Sequence, residues 1–326
     1  MIEFQLPDNY SSAFTGALYK VTSAESTAPY VVEVVNSDAG ETLGIRRVQY
    51  TNNNTLNIGR YLSRALSPRP IVGKSGFTVP EGRDVGVRLM VGDTLTDERR
   101  FTSSLTSLSG NRLLSALTER TISAGQTDEI ALFAEAGNVV IGVSFGGEVE
   151  AKRLALYSHS GGLLCYTLEV DKVLALTDNS SLRDFRVSVS VGGEHVASIH
   201  YLLRQPSAHN VRLAWLNPYG AIDHYTFHSL GQLLRTNKER IVGADGVRVV
   251  RSEGRWEEVL SSGYLPGAVA RVLASLLTSP KVWRIDGDEV VALDVTDESM
   301  TISDGESLTA IRVVVRDAAP QLTQQF

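Results

Sequence analysis

Two stretches decide the fold: Val139-Val140-Ile141-Gly142-Val143-Ser144-Phe145-Gly146-Gly147 and Phe185-Arg186-Val187-Ser188-Val189-Ser190-Val191-Gly192-Gly193. In each, a large apolar residue recurs at every second position, which puts one apolar face on an extended chain and predicts a half-buried strand. A Gly-Gly pair closes each run. Two-residue hairpin turns need positive φ at their central residues, and glycine takes that conformation without steric cost. A third pair, Gly161-Gly162, stands between Leu154-Ala155-Leu156-Tyr157 and Leu163-Leu164-Cys165-Tyr166. Three candidate hairpins in close succession describe an antiparallel sheet.

The same period continues outward. Tyr30 to Val35 is a β-branched run ending in the loop cluster Asn36 to Gly40, and Val85, Val87, Leu89 and Val91 alternate with Gly86, Arg88 and Met90. Arg212 to Leu216 leads into Asn217-Pro218-Tyr219-Gly220, with Asn, Pro and Gly at positions i, i+1 and i+3 of a type I turn, and Asp223 to Phe227 leads out. Two segments have helical spacing instead. Ile58, Tyr61, Leu62, Ala65 and Leu66 form one stripe behind a candidate Asn57 cap, and Val269, Val272, Leu273, Leu276 and Leu277 form another between Pro266 and Pro280.

With 326 residues, the chain suits two or three domains at about 150 residues each. The Ser/Thr-rich stretch Phe101 to Gly110 and the polar run Arg235 to Arg240 are the candidate breaks. The expectation is an all-β protein of mainly antiparallel sandwich domains at 1–105, 106–235 and 236–326, with two or three short accessory helices. An apolar fraction of 43% against 21% charged excludes disorder, collagen and coiled coil as the dominant state. The net charge of −6 has the wrong sign for an electrostatically driven nucleic-acid binder. The opening Met1 to Asp8 has neither a basic n-region nor an apolar stretch, and nowhere is a run long enough for a membrane helix. The expected location is therefore the cytoplasm on synthesis, with no membrane partner. The single Cys165 cannot form an internal disulfide and reads as a small buried hydrophobe.

Several motifs invite chemistry. Gly142-Val143-Ser144-Phe145-Gly146 fits the Gly-x-Ser-x-Gly elbow of a serine hydrolase, with Ser144 as candidate nucleophile and Glu148 to Tyr157 as the helix that would follow. That fold needs alternating β and α units and a histidine late in the chain, whereas the last histidine is His228. His195, His200, His209, His224 and His228 raise a metal site, but His224 and His228 on a strand would stand roughly 13 Å apart, too far to share an ion. The acidic group Asp286, Asp288, Glu289, Asp294, Asp297, Glu298, Asp304 and Glu306 lacks calcium-loop spacing, and Asp286-Gly287 reads as a hairpin turn. No Walker loop, Rossmann fingerprint or paired-carboxylate signature is present, and a metal site stays open only through long-range pairing that brings other histidines together.

The segment Arg212 to Gly220 with Asp223-His224-Tyr225-Thr226-Phe227 resembles a Trp-Leu-Asn-x-x-Gly-x-x-Asp-x-Tyr-x-Phe pattern of poorly characterised tailed-phage and prophage proteins. The C-terminal order is similar too: a helix ending Leu276-Leu277-Thr278-Ser279-Pro280, a strand through Val282-Trp283, the Asp286-Gly287 turn, Val290 to Val295 and a closing strand Ile311 to Arg316. The resemblance covers roughly the last third of the chain. It implies a non-enzymatic structural subunit of a tail, tail tip or baseplate, incorporated in a virion or tail-like particle. Its partners would be other copies of itself and other tail proteins, without cofactor. Trp215, Tyr219 and Tyr225 are then candidate interface residues, weighed against cross-strand core packing. A carbohydrate-binding or adhesin module with exposed aromatics, and a Ser144 hydrolase, are the alternatives.

Overall fold

The computed structural model describes residues 2–23, 29–48, 54–146, 151–178, 181–244, 246–297, 302, 308–318 and 322–325. Strands dominate, at 61% against 8% helix, as the period-two reading expects. The N-terminal part contains β1 (Ile2–Gln5), β2 (Ser11–Ser12), β3 (Leu18–Ser23), β4 (Tyr30–Asn36), β5 (Glu41–Val48), β6 (Asn54–Asn57), α1 (Gly59–Ala65), β7 (Gly76–Thr78), β8 (Asp84–Val91), β9 (Thr94–Leu95) and β10 (Arg99–Thr102). A three-stranded sheet β1-β3-β6 and a six-stranded sheet β2-β10-β8-β4-β5, with β9 on β8, share one core. Val32 and Val34 of β4 and Val85, Val87 and Leu89 of β8 enter it at alternate positions. The N-cap of α1 is Ile58, without a side-chain cap, and the expected cap residue Asn57 stands one position earlier, where its Oδ1 accepts the Gly59 amide at 2.9 Å; Leu62 of the helix seals that core.

The central part contains β11 (Arg112–Leu113), β12 (Glu119–Ser123), β13 (Thr127–Ala134), β14 (Gly137–Phe145), β15 (Lys152–His159), β16 (Gly162–Glu169), α2 (Val170–Leu174), β17 (Asp184–Val191) and β18 (Glu194–Arg204). Its two sheets, β11-β13-β16-β7 and β12-β18-β17-β14-β15, face each other as a sandwich. Val139, Ile141, Val143, Val187 and Val189 of one meet Ile130, Leu132, Leu164 and Leu168 of the other. Val191 pairs with Glu194, leaving Gly192 and Gly193 as a two-residue turn with φ of 61° and 89°. Gly146 ends β14 with φ 51°, while Gly147 and Glu148 lie outside the described residues.

Gly161-Gly162 is not a hairpin turn. Among the described residues β15 pairs with β14 alone, and β16 pairs with β13 and β7, so this glycine pair carries the chain from one sheet of the sandwich to the other. The close approach explains the residue type, because a Cβ on Gly162 would lie 2.5 Å from the Tyr10 hydroxyl. β16 also explains its unbroken apolar run. Its second face, carrying Leu163 and Cys165, is covered by Leu108, Leu114 and Ala221, and a strand buried on both faces has no polar side to alternate with.

The C-terminal part contains β19 (Asn210–Leu216), β20 (Ile222–Gly243), β21 (Gly246–Pro266), α3 (Gly267–Leu273), α4 (Ser275–Thr278), β22 (Val282–Asp286), β23 (Glu289–Val295), β24 (Leu308–Asp317) and β25 (Leu322–Gln325). Its strand order is β20-β19-β22-β23-β24-β21-β25, and β20 also pairs with β21, so six strands close into an antiparallel barrel. Trp215, Tyr225, Phe227, Leu260 and Val313 fill it, and Leu273 and Leu276 of the two helices pack on the same core. The expected single helix is thus two short ones that break at Ala274. The Asn217 turn forms as read: Gly220 donates to the Asn217 carbonyl at 3.0 Å, and Asn217 Oδ1 accepts the Tyr219 and Ala221 amides. Asp286 pairs with Glu289 around Gly287, the other expected hairpin. β19 and the first part of β20 precede residue 235 yet pair into the C-terminal sheet, and β7, from the first expected domain, pairs into the central one.

Candidate functional site

Three arginines and three carboxylates meet in the interior where these regions join. Asp128 and Glu129 are consecutive on β13, so their side chains leave opposite faces of the strand. Asp128 accepts Arg120 Nη1 at 2.7 Å, Arg212 Nη2 at 2.6 Å and the Tyr201 hydroxyl at 2.6 Å. Arg120 reaches on to Asp223 Oδ1 at 3.3 Å. On the other face Glu129 pairs with Arg83, accepts the Ile71 amide at 2.6 Å and lies 3.3 Å from His224 Nε2. All six charged side chains are at most 3% exposed. The group ties β12, β13 and β18 of the sandwich to β19 and β20 of the barrel and to Arg83 of the N-terminal part.

Three positive and three negative groups balance, and the local fields set their protonation. Burial by itself would raise the Glu129 carboxyl, but Arg83 and His224 outweigh it and hold it down to about 2. The Asp128 carboxyl faces the same burial, and Arg120 and Arg212 bring it below the usual carboxylate range. Burial wins at Asp223, whose carboxyl is raised despite Arg120. Burial and the neighbouring Glu129 charge push the Cys165 thiol well up, and its Sγ sits 3.5 Å from Glu129 Oε2. A buried thiol held neutral is a poor nucleophile. This junction has no exposed reactive atom; what it does is fix the placement of three sheets.

The motif residues are not assembled into a reactive centre. Ser144 is the penultimate residue of β14, residues 147–150 lie outside the described residues, and the next described element is the strand β15, so among the described residues no helix follows it to form an elbow. Ser144, Arg186 and His200 share one cross-strand row, but two strand spacings, about 10 Å, separate serine from histidine. His200 is held instead by Asp184 at 2.8 Å. His224 and His228 both lie on β20, the strand on which they cannot share an ion, and no group of three metal-ligating side chains forms among the described residues. Asp294 pairs with Arg316, Asp297 accepts the Val314 amide, and Glu298, Asp304 and Glu306 lie outside the described residues. A cavity of about 370 Å³ between residues 67 and 82 is lined by Arg69, Lys74, Thr78 and Glu81, without a nucleophile–base pair.

Two of the three interface candidates are core residues. Trp215 is fully buried and donates through Nε1 to Ser275 Oγ at 3.1 Å, while the Tyr225 hydroxyl accepts from Thr121 and donates to the Ser262 carbonyl. The barrel needs large side chains to fill it, and these two supply them. Tyr219 is half-buried at the turn, with Arg112 over its ring at 5.8 Å.

The exposed apolar surface lies elsewhere. Beyond the barrel, β20 and β21 run on as a two-stranded ribbon, pairing from His228–Ser261 out to Gly243–Gly246 with bulges at Ser229/Gly231 and Glu239/Arg240. β25 covers Arg251 to Gly254 on one side. Among the described residues, no strand pairs with the outer edge of β20 beyond His228. Leu230, Leu233, Leu234, Ile241, Val242 and Val247 are all exposed on this ribbon, Val242 at 84%. Sequence reading took its polar run Arg235 to Arg240 for a break, because a ribbon solvated on both faces has no apolar side to reveal its period.

No protein-family model matches the chain, and a search of curated proteins finds no match. Among solved structures, a two-domain fibronectin type-III segment from chicken tenascin aligns over 61% of this chain and 95% of its own, at 8% identity and a TM-score of 0.19. The IG1+IG2 segment of DIP-gamma aligns over 63% and 98%, at 11% identity and 0.19. Domains 4–9 of the surface layer protein SbsC align over 99% and 44%, at 9% identity and 0.21. Scores this low carry no argument about function.

Proposed function

We propose that this chain is a non-enzymatic structural subunit of a larger assembly, and that the assembly is a phage or prophage tail, tail tip or baseplate. The observation that carries the first part is the ribbon. An isolated two-stranded hairpin is marginal in water, and large apolar side chains along an open strand edge form a template for pairing. A subunit that keeps such a ribbon is one in which another chain covers it. The sealed ionic junction supports the same reading, since it holds the ribbon's base in fixed relation to the rest. The second part rests on the resemblance of the Trp215 to Phe227 hairpin to tailed-phage proteins. The glycan alternative loses support because Trp215 and Tyr225 are buried, and the hydrolase alternative because the next described element after Ser144 is the strand β15 and not a helix.

The test is fractionation. Particles released on lysis of the encoding host are separated on a density gradient, and the fractions are searched for peptides of this chain by mass spectrometry. The expected result is co-sedimentation with tail-like particles. Recovery only at the top of the gradient, with small soluble proteins, overturns the reading.

A further inference from the structure

We propose that the partner covering the ribbon is a second copy of this chain, and that the ribbon of one copy docks on the body of the next in a head-to-tail contact. This rests on the assembly reading above and names the partner. Charge distribution is the main argument. Residues 228–261 carry six basic and five acidic residues, a balance of +1, whereas the rest of the chain carries 25 basic against 32 acidic, a balance of −7. A ribbon therefore repels another ribbon and is attracted to another body. Symmetric ribbon-to-ribbon pairing is disfavoured by the same numbers, which leaves the heterologous arrangement that builds rings or filaments.

Size supports the contact. Ser229 to Gly243 spans about 45 Å at strand rise, and two strands are about 10 Å wide, so each face offers about 450 Å². Covering both faces approaches the ~800 Å² per partner of a standard stable interface. The edge geometry fits as well. The outer edge of β20 from Leu230 onward presents main-chain groups that a strand edge of another copy would pair with, while Ile241, Val242 and Val247 near the tip supply apolar anchors.

The experiment is sedimentation equilibrium of the full chain over a wide concentration series, at low and at high salt. The comparison variant is the double substitution Lys238→Glu and Arg240→Glu, which turns the ribbon from +1 to −3 at two exposed positions. Wild type is expected to gain mass with concentration and to lose part of that gain in high salt. The variant should weaken self-association by about tenfold or more with an unchanged circular dichroism spectrum. Added to wild type, the variant should shorten the assemblies, because its body still accepts a wild-type ribbon while its own ribbon cannot dock. A wild-type chain that stays monomeric at every concentration overturns the second-copy proposal. So does a wild-type assembly that the double substitution leaves unchanged. Fractionation separates the two failures: a monomeric chain that still travels with particles sinks only the choice of partner, and one that does not sinks the assembly reading too.

Discussion

The junction around Asp128 and Glu129 and the ribbon of β20 and β21 share a strand, yet solve opposite problems. At Asp223 and His224, β20 is buried on both faces, with Asp223 paired to Arg120 and His224 Nε2 set against Glu129, while His224 Nδ1 is buried without a partner among the described residues. Some ten residues later, the same strand is exposed on both faces and its outer edge has no partner strand among the described residues. Buried charge is costly unless paired, so the first region has one arrangement and little tolerance. The ribbon keeps apolar side chains such as Leu233, Ile241 and Val242 in water, where each costs a little. The contrast separates what holds this subunit's shape from what is available to bind.

The sharpest way to break the contrast is to unpair the junction. Arg120→Ala leaves Asp128 and Asp223 without a shared counter-charge in a sealed interior, and removal of one partner from such a group costs about 3–5 kcal/mol. Urea unfolding should show a loss of that size; a loss under about 1 kcal/mol would mean that the junction is not the fixed part of the molecule.

Acid should attack the same place. The Glu129 carboxyl is held near 2 in the folded chain against 4.5 when free, so its contribution is fully present above about pH 4.5 and is lost as pH falls through about 2. Asp128, also depressed, acts in the same direction. Asp223 is raised and acts oppositely, its contribution fading as pH rises. The two depressed groups outnumber it, and stability should fall on the order of 3 kcal/mol across that acid window. Unfolding midpoints followed by tryptophan fluorescence measure this directly, and a flat profile between pH 5 and about pH 2.5 would contradict the assignment.

A smaller effect tests how the Asn217 turn joins the barrel to the N-terminal part. Gly220 has φ +77°, and a Cβ there would lie 2.5 Å from the Ser104 amide nitrogen. Ser103 Oγ donates to the Gly220 carbonyl and the Leu105 amide to the Pro218 carbonyl, so the turn is clamped and has little room to retreat. Gly220→Ala should destabilise by about 1–3 kcal/mol, read from the thermal midpoint. A neutral result would show that the contact yields.

What was legible in the sequence follows from what period and turn chemistry encode. The alternation at Val85 to Val91, Val139 to Phe145 and Phe185 to Val191 is a statement about one strand's two faces, and all three strands form. Gly192-Gly193 and Asn217 to Gly220 specify their turns locally, and both form. Gly161-Gly162 signals a change of direction but not the sheet to which the chain goes next, which is decided by β13 nearly thirty residues upstream. The junction was missed for a related reason. Arg212 inside an apolar strand, and Asp128-Glu129 opening the buried run Ile130 to Ala134, were its only signals, and each needs its distant partner to be read. Trp215 and Tyr225 show the limit from the other side, because residue type alone does not separate a barrel filling from an exposed anchor.

The least expensive substitution carries the other half of the comparison. Val242 stands 84% exposed near the ribbon tip, opposite Val247, with no core to leave. Val242→Thr keeps the β-branched shape and removes one apolar methyl, so the stability of the isolated chain should change by less than about 0.5 kcal/mol. If the ribbon is the surface that a partner covers, the same change should weaken association by more than it weakens folding, since Val242 is the most exposed of the ribbon's apolar anchors. Parallel denaturation and sedimentation of this one variant therefore separate the two regions. A loss of folding stability comparable with that of Gly220→Ala would place the tip among the parts that hold the subunit together, and the division between a fixed junction and a free ribbon would fail.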